Sequence, residues 1–391
     1  MAVRDGSGKF HIDVIDVGQA DSILLEGPDG TTMLVDSGHW HDEGEHVLDH
    51  LNESEIDHLD YLVATHDDWD HIGGHADIID EFGSDGIGTV YSPAKEEEGK
   101  RSAAVTQYKT ALAENGIKEN QLHAESAALD LDGVTIDILN PSEEIDSKAR
   151  NENSVVMQAT YGKQSILLAG DIKGKAETQL VEKHAEQLSD VDVLKTAHHG
   201  SKFSTGEALL ETCEPETVLY SHAEESKHDH PDTETVTRTT QADNAHSTAL
   251  HGTTSLTFDG QNEIAVEHTN DTDLHDATDF AALIHYHRDN DVALDEIDSI
   301  ARSDLLASIP YEIVDNASII EDSQAVQTLQ DENEALQDQL DEATEALDAK
   351  DDVIDAKDDV IDAKDNIIDE KDQRIEQLQN RLAALEQATK E

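Results

Sequence analysis

The sequence predicts an α/β domain built from two mixed sheets packed face to face with helices outside, followed by one coiled-coil helix. Three observations carry this reading. Short apolar runs alternate with helical patterns through two strand-rich halves, which is the arrangement of layered sheets. The loops that carry histidine and aspartate follow those runs, so strand ends at one edge could gather them. From about residue 323 the pattern changes to apolar residues every seventh position.

In chain order, Phe10 to Val17, Ser22 to Glu26 and Thr32 to Asp36 read as strands, with Gly27-Pro28-Asp29-Gly30 as the turn between the last two. A helix is expected from about Gly44 to Leu51. The strand Tyr61 to Ala64 then runs into residues 65–75, followed by a helical pattern from Ala76 to Phe82. Gly88 to Pro93 is a strand, Ala103 to Asn115 an amphipathic helix and Val134 to Leu139 a strand. The second half begins near Asn151. Ser154 to Tyr161 and Gln164 to Ala169 form a hairpin turning at Gly162-Lys163, and Lys175 to Glu186 is a helix. Val191 to Thr196 and Thr217 to Tyr220 are strands, with final strands near Thr253 to Phe258 and Glu263 to Glu267.

Residues 1–268 form the expected layered-sheet domain. Residues 269–322 turn to Asp, Thr and Asn and then to short helical patterns broken at Pro310, and read as linker and short helices without nameable chemistry. Residues 323–391 carry Val326, Asn333, Leu340, Leu347, Ile354, Ile361, Ile368, Ile375 and Leu382 at heptad spacing, about nine heptads of coiled coil. Asn333 at a core position favours a parallel homodimer. Lys350, Lys357, Lys364 and Lys371 stand at the second core position in the middle of the stretch.

With 89 acidic against 26 basic residues, the formal net charge is -63. Such a surface repels itself unless salt screens it, and points to a halophilic, salt-filled cytoplasm. No basic surface is offered to nucleic acid, so DNA or RNA contact would rest on metals and local groups. Cys213 is the single cysteine, which excludes an internal disulfide and fits a reducing compartment. No apolar run reaches membrane-spanning length and Met1 to Phe10 has no apolar core of a signal peptide, so a soluble cytoplasmic protein is expected.

The chemistry concentrates in residues 65–75. His66, Asp68, Asp70 and His71 fall within six residues on a loop leaving a strand, and Gly73-Gly74 follow, as an HxHxDH-type motif requires. Imidazole and carboxylate together suit borderline divalent ions such as zinc, manganese or iron. Alternation along an extended segment would put His66, Asp68 and Asp70 on one side and His71 on the other. Asp36, Asp171 and the pair His198-His199 also follow strands and could join the same site.

Together these motifs resemble the metallo-β-lactamase fold hydrolases, in particular the soluble domain of ComEC-type DNA-uptake proteins, over about residues 10 to 268. The resemblance rests on Asp16 to Ser22, Leu34 to Gly38, His66 to Gly74, Asn151 to Val156, Leu167 to Asp171, His198 to Ser201 and His230-Pro231. It implies an αββα sandwich, a metal-bound hydroxide as nucleophile and one or two divalent ions, zinc or manganese. By motif, His66 and Asp68 would hold one ion, Asp70 and His71 the other, Asp171 would bridge them, and His198 with His199 would complete the set. Asp36 would support the loop from behind. Asp70 would orient or deprotonate water, His230 would act as acid or oxyanion donor, and Asp21 and Ser201 would line the cavity. Asp68 stands where the wider family has a histidine, and Asn153 where it has another. Both substitutions harden the site and bring manganese into play. Cleavage of phosphodiesters, with DNA as an admissible substrate, is the leading expectation. Hydrolysis of small esters, lactones or thioesters, or a coiled-coil scaffold with a vestigial site, are the alternatives.

Overall fold

In the computed structural model, residues 8–294 are described apart from 95–101, 143–149, 190, 225–227, 262, 271, 273 and 291. The expected coiled coil, its dimer and the helical patterns beyond residue 294 lie outside the described residues.

Six strands open the chain: β1 (Phe10–Val14), β2 (Ile23–Glu26), β3 (Thr32–Val35), β4 (Leu59–Val63), β5 (Ile87–Pro93) and β6 (Glu119–Leu122). Seven more build a second sheet: β7 (Leu129–Leu131), β8 (Val134–Asn140), β9 (Val156–Tyr161), β10 (Gln164–Leu168), β11 (Val193–Lys195), β12 (Thr217–Tyr220) and β13 (Asn244–Ser247). The chain then returns to the first sheet with β14 (Thr254–Phe258) and β15 (Ile264–His268). The strand orders are β15-β14-β1-β2-β3-β4-β5-β6 and β13-β12-β11-β10-β9-β8-β7. Pairing is antiparallel through β1, β2 and β3 and parallel from β3 to β6. In the second sheet it is parallel from β10 to β13.

Eight α-helices are described: α1 (Glu45–Glu53), α2 (His75–Gly86), α3 (Ala103–Asn115), α4 (Gly174–Leu188), α5 (Glu207–Cys213), α6 (Thr233–Arg238), α7 (Thr248–His251) and α8 (Ala277–Asn290). Three buried clusters define the layers. Ile12, Leu25, Val35, Ile138, Met157 and Ile166 meet between the sheets. Val47, Leu51, Ile79 and Tyr108 cover the outer face of the first sheet. Leu180, Leu209, Phe280 and Ile284 cover the outer face of the second. In the central strand β10 the apolar run Ile166-Leu167-Leu168 is unbroken because Ile166 and Leu168 point between the sheets while Leu167 points to the helices. A strand covered on both faces has no polar side to alternate with. The result is the four-layer αββα sandwich of the metallo-β-lactamase fold.

Helix α8 falls in the stretch whose composition reads as linker and short helices. Its Phe280, Ala281, Leu283 and Ile284 are buried in the outer cluster of the second sheet, so packing continues past His268 to Leu294. Strands β6, β7 and β13 were not foreseen; Glu119–Leu122 and Asn244–Ser247 are short and polar, and only pairing at a sheet edge makes them strands.

Candidate metal centre

Loops from the carboxyl ends of β3, β4, β10 and β11 converge here, each following a parallel-paired strand. In layered α/β sheets that edge is where ligands bind. Asp36 leaves β3 with a φ of 58° and is buried. Its Oδ1 accepts the amide of Thr65 at 2.8 Å, and its Oδ2 accepts the Thr65 hydroxyl at 2.6 Å and His71 Nδ1 at 2.7 Å. A carboxylate can only accept, so Nδ1 of His71 carries the hydrogen and Nε2 faces the site. His199 is oriented the same way, with Nδ1 donating to the carbonyl oxygen of Ser221 at 3.0 Å. His66 Nδ1 meets the Thr65 hydroxyl oxygen at 3.2 Å.

Four Nε2 atoms, those of His66, His71, His198 and His199, lie within 3.9 Å of the Asp171 carboxylate. His71 Nε2 lies 3.2 Å from Asp171 Oδ1, and the Nε2 atoms of His66 and His199 lie 3.9 and 3.8 Å from Asp171 Oδ2. Buried Nε2 of His66, His71 and His199, together with Asp171 Oδ1, have no hydrogen-bond partner. Buried polar atoms without partners are costly and require an explanation, and a bound cation supplies one. Three overlapping donor groups share His71: His66, His71 and Asp171; Asp70, His71 and His199; and Asp21, Asp36 and His71. Within each, the ligand atoms lie within 4.8 Å of one another.

Protonation responds to this crowding. Burial alone would raise the Asp171 carboxyl, yet the positive charges of His71, His198 and His199 hold it well below the usual carboxylate range. Burial alone would lower His71 and His199, yet Asp171 with Asp36 raises the first well above its ordinary value, and Asp171 with Asp21 raises the second to about 10. The carboxylates thus draw protons to the positions a divalent ion would occupy, and loading an ion would expel them. The donor set fits a borderline or hard divalent cation.

The loop itself differs from the extended segment expected. The carbonyl of Asp68 accepts the amides of both His71 and Ile72, at 3.1 and 3.0 Å, so the chain coils here and side-chain alternation does not decide which donors meet. Asp68 Oδ2 lies 3.4 Å from His66 Nε2 while its Oδ1 is held by Arg150 at 2.9 Å. Asp70 Oδ2 lies 3.5 Å from His199 Nε2. Gly73 and Gly74 have a steric purpose: a Cβ on Gly73 would stand 2.1 Å from the amide nitrogen of Trp40, and one on Gly74 2.6 Å from the carbonyl of Ser37. The metal loop is seated directly on the backbone that follows Asp36.

Residues His198 and His199 both have left-handed backbone, with φ of 54° and 55°, which separates their rings. His199 turns inward. His198 is 22% exposed, its Nε2 is 3.7 Å from Asp171 Oδ2, and Asn151 Nδ2 lies 3.3 Å away. His230 packs its ring against His198 at 5.6 Å, beside rather than among the donors, and burial holds it down at about 3. Asp21 lies behind the site, ion-paired with the buried Lys195 at 2.9 Å and 3.5 Å from His199 Nδ1. Ser201 is buried; its amide donates to the carbonyl of His198 and its hydroxyl oxygen accepts the amide of Phe203 at 3.5 Å. Asn153 is buried in the turn Asn151–Asn153, where Asn151 is the asparagine whose side chain reaches His198.

Thr65, Arg150, Asn151 and Lys195 were missed as site residues. One of them left a signal. A lysine inside the apolar run ending at Thr196 must be buried, and a buried lysine requires an anionic partner.

The profile of the metallo-beta-lactamase superfamily matches residues 15–222. ComE operon protein 3 of Bacillus subtilis is 29% identical over 241 residues, which is 58% of this chain and 30% of that protein. Recombination protein 2 of Haemophilus influenzae is 30% identical over 216 residues, 54% of this chain and 24% of that protein. Competence protein ComA of Neisseria gonorrhoeae is 29% identical over 223 residues, 56% and 28% of the two chains. This chain therefore spans between about a quarter and a third of these relatives' lengths. Among solved structures, the metallo-beta-lactamase fold protein YhfI from Bacillus subtilis is similar over 61% of this chain and 95% of its own, at 14% identity and a TM-score of 0.42. No helix among the described residues is long and apolar enough to cross a membrane.

Proposed function

The chain belongs to the metallo-beta-lactamase superfamily of metal-dependent hydrolases, and from that premise we propose that the bond it cleaves is a phosphodiester, with single-stranded DNA as the substrate class. The observation that carries this reading is Asp171, whose Oδ1 faces His71 Nε2 while its Oδ2 faces the Nε2 atoms of His66 and His199, so that its two oxygens could serve two adjacent ions. Two ions side by side suit in-line displacement at phosphorus, where both the attacking and the leaving oxygen need stabilising. Bound divalent ions would supply Lewis acidity and bring the pKa of water toward neutrality.

The protein's own groups do the rest. His66, His71, His199 and Asp171 would hold the ions, and Asp36 and Ser221 fix the ring tautomers that make this geometry available. Asp70, at the more exposed side, would orient the attacking water and accept its proton. His198 and His230 form the wall beside the donors, and a neutral His230 ring would donate a hydrogen bond to a charged oxygen rather than a proton. Trp69, between Asp68 and Asp70 in sequence, is 40% exposed, and Trp40 is 45% exposed. Trp40 donates its backbone amide to the carbonyl of Trp69, so two exposed indoles flank the metal loop. Exposed aromatics beside a catalytic groove give single-stranded bases a sequence-tolerant stacking surface. The names of relatives, recombination protein and competence protein, agree with a nucleic-acid substrate.

A net charge of -63 favours the second reading, a hydrolase of small esters, lactones or thioesters, because a polyanion is repelled. At about 1 M salt the Debye length is only about 3 Å, which removes most of that repulsion and sets the condition for the test. The experiment is a substrate panel in molar potassium chloride with manganese or zinc. Phosphodiester and single-stranded DNA cleavage, abolished in Asp70→Ala and His71→Ala and weakened in Trp69→Ala through KM, is expected. Turnover of esters or lactones with no phosphodiester cleavage would place the second reading first. We further propose that the protein works in a high-salt cytoplasm and dimerises through residues 323–391.

A further inference from the structure

Four histidines outside the loops of the first site come together where the two sheets end. His246 lies on β13, His251 closes α7, His268 ends β15 and His275 precedes α8. Their ring centroids are 4.5 to 5.6 Å apart across the contacts they make. One ligand nitrogen from each lies within 4.8 Å of the others. His268 Nε2 and His246 Nδ1 are 3.0 Å apart. Two imidazole nitrogens on one tetrahedral zinc, at about 2.0–2.1 Å each, stand about 3.3 Å from one another, so this pair is close to ligand spacing. His275 Nδ1 is buried without a hydrogen-bond partner, in a cluster where the neighbouring groups are other imidazoles.

We propose that His246, His251, His268 and His275 hold a structural zinc ion that staples the edges of the two sheets together. The donor chemistry selects the ion: four imidazoles without a carboxylate suit zinc, copper or nickel rather than magnesium, calcium or manganese. Burial, and then the neighbouring histidines, hold His246 at about 3 and His268 at about 4, so both are neutral donors at pH 7. A divalent charge is also favoured in a chain of net charge -63. His251 is the partner that must rearrange. Its Nδ1 accepts the amide of Ser247 at 2.9 Å while Nε2 lies 2.9 Å from the carbonyl oxygen of Leu274, and zinc would replace the second contact.

Topology gives the site its consequence. β15 and β13 are the edge strands of the first and second sheets. The carbonyl of His275 also accepts the amide of Ala245, tying the chain before α8 to β13. One ion would therefore cross-link both sheets and the entry to α8, at an edge of the sandwich that no disulfide can hold, since Cys213 is the single cysteine.

The test uses the full chain stripped with chelator and then equilibrated with zinc, counting ions by elemental analysis and following Tm. The variant Asp171→Asn, which disables the first site, should keep one zinc and still gain Tm on zinc addition. His268→Gln should bind one zinc fewer than wild type, with its first-site ions retained. His275→Gln, at the position whose Nδ1 makes no hydrogen bond, is the mildest replacement and should show the same loss if His268→Gln does not fold. A folded His268→Gln or His275→Gln chain with wild-type zinc content would overturn the proposal, as would an Asp171→Asn chain that binds no zinc.

Discussion

Replacing Asp36 with asparagine tests how the fold prepares the metal centre. In the native protein one carboxylate takes three hydrogen bonds, from the Thr65 amide and hydroxyl and from His71 Nδ1, and is itself buried. The asparagine oxygen can still accept the Thr65 amide. Its NH2 then faces the Thr65 hydroxyl and His71 Nδ1, where a donor meets donors. The hydroxyl can turn, but the imidazole can relieve the conflict only by moving its hydrogen to Nε2, the atom that should face the ion. Loss of such an outer hydrogen bond weakens metal affinity by about 10- to 100-fold, or about 1.4 to 2.7 kcal/mol. Competition against a chelator of known affinity reads this directly for manganese and zinc, with circular dichroism confirming that the variant is folded. Folded Asp36→Asn with wild-type affinity would refute the argument that Asp36 sets the tautomer of His71.

Other expectations follow from single contacts. Gly73→Ala forces a Cβ to within 2.1 Å of the Trp40 amide nitrogen and should cost about 3 kcal/mol or more in urea unfolding, with metal affinity lost alongside. Lys195→Met leaves the buried Asp21 carboxylate without its ion pair and should cost about 3 to 5 kcal/mol by the same measurement. The pH dependence has a definite sign. Burial would raise Asp21, but Lys195 and His199 depress it below 3.8, so its stabilisation is complete above pH 3.8 and is lost as the pH falls below that value. Acid titration of stability should be steeper there in wild type than in Lys195→Met. Finally, the chain ending at Val314 keeps α8 in place and should be monomeric by light scattering, whereas the full chain should be dimeric; a dimeric short chain would remove the coiled coil as the assembly device.

Much of this architecture was legible because local chemistry and tertiary position agree. Strand β10 is buried on both faces, and its last three residues, Ile166 to Leu168, form the apolar run that announces it. The loop after β4 could be read because histidine and aspartate at that spacing, followed by two glycines, serve no ordinary turn. The glycines turn out to be required by the backbone of residues 37–44 lying against them. What stayed hidden depends on backbone conformation or distant partners. Two adjacent left-handed histidines bring both rings to Asp171, His199 buried and His198 partly exposed, a division that no residue pattern encodes. Arg150 reaches Asp68 from 82 residues away, and Asp21 finds Lys195 from 174. Helix α8 was obscured by composition: its polar residues share a short segment with Phe280, Leu283 and Ile284, and only the partner surface separates them.

We propose that the donors around Asp171 hold the ions that make this chain a phosphodiesterase. The most direct test is a single titration of the chelator-stripped full chain with manganese in molar potassium chloride, recording bound ions and the rate of single-stranded DNA cleavage together. Expected are no cleavage in the stripped chain, a rate that rises with occupancy, and at least a 100-fold lower rate in Asp171→Asn at the manganese concentration that saturates wild type. Cleavage that persists in the stripped chain, or that is unchanged by Asp171→Asn, would contradict the proposal.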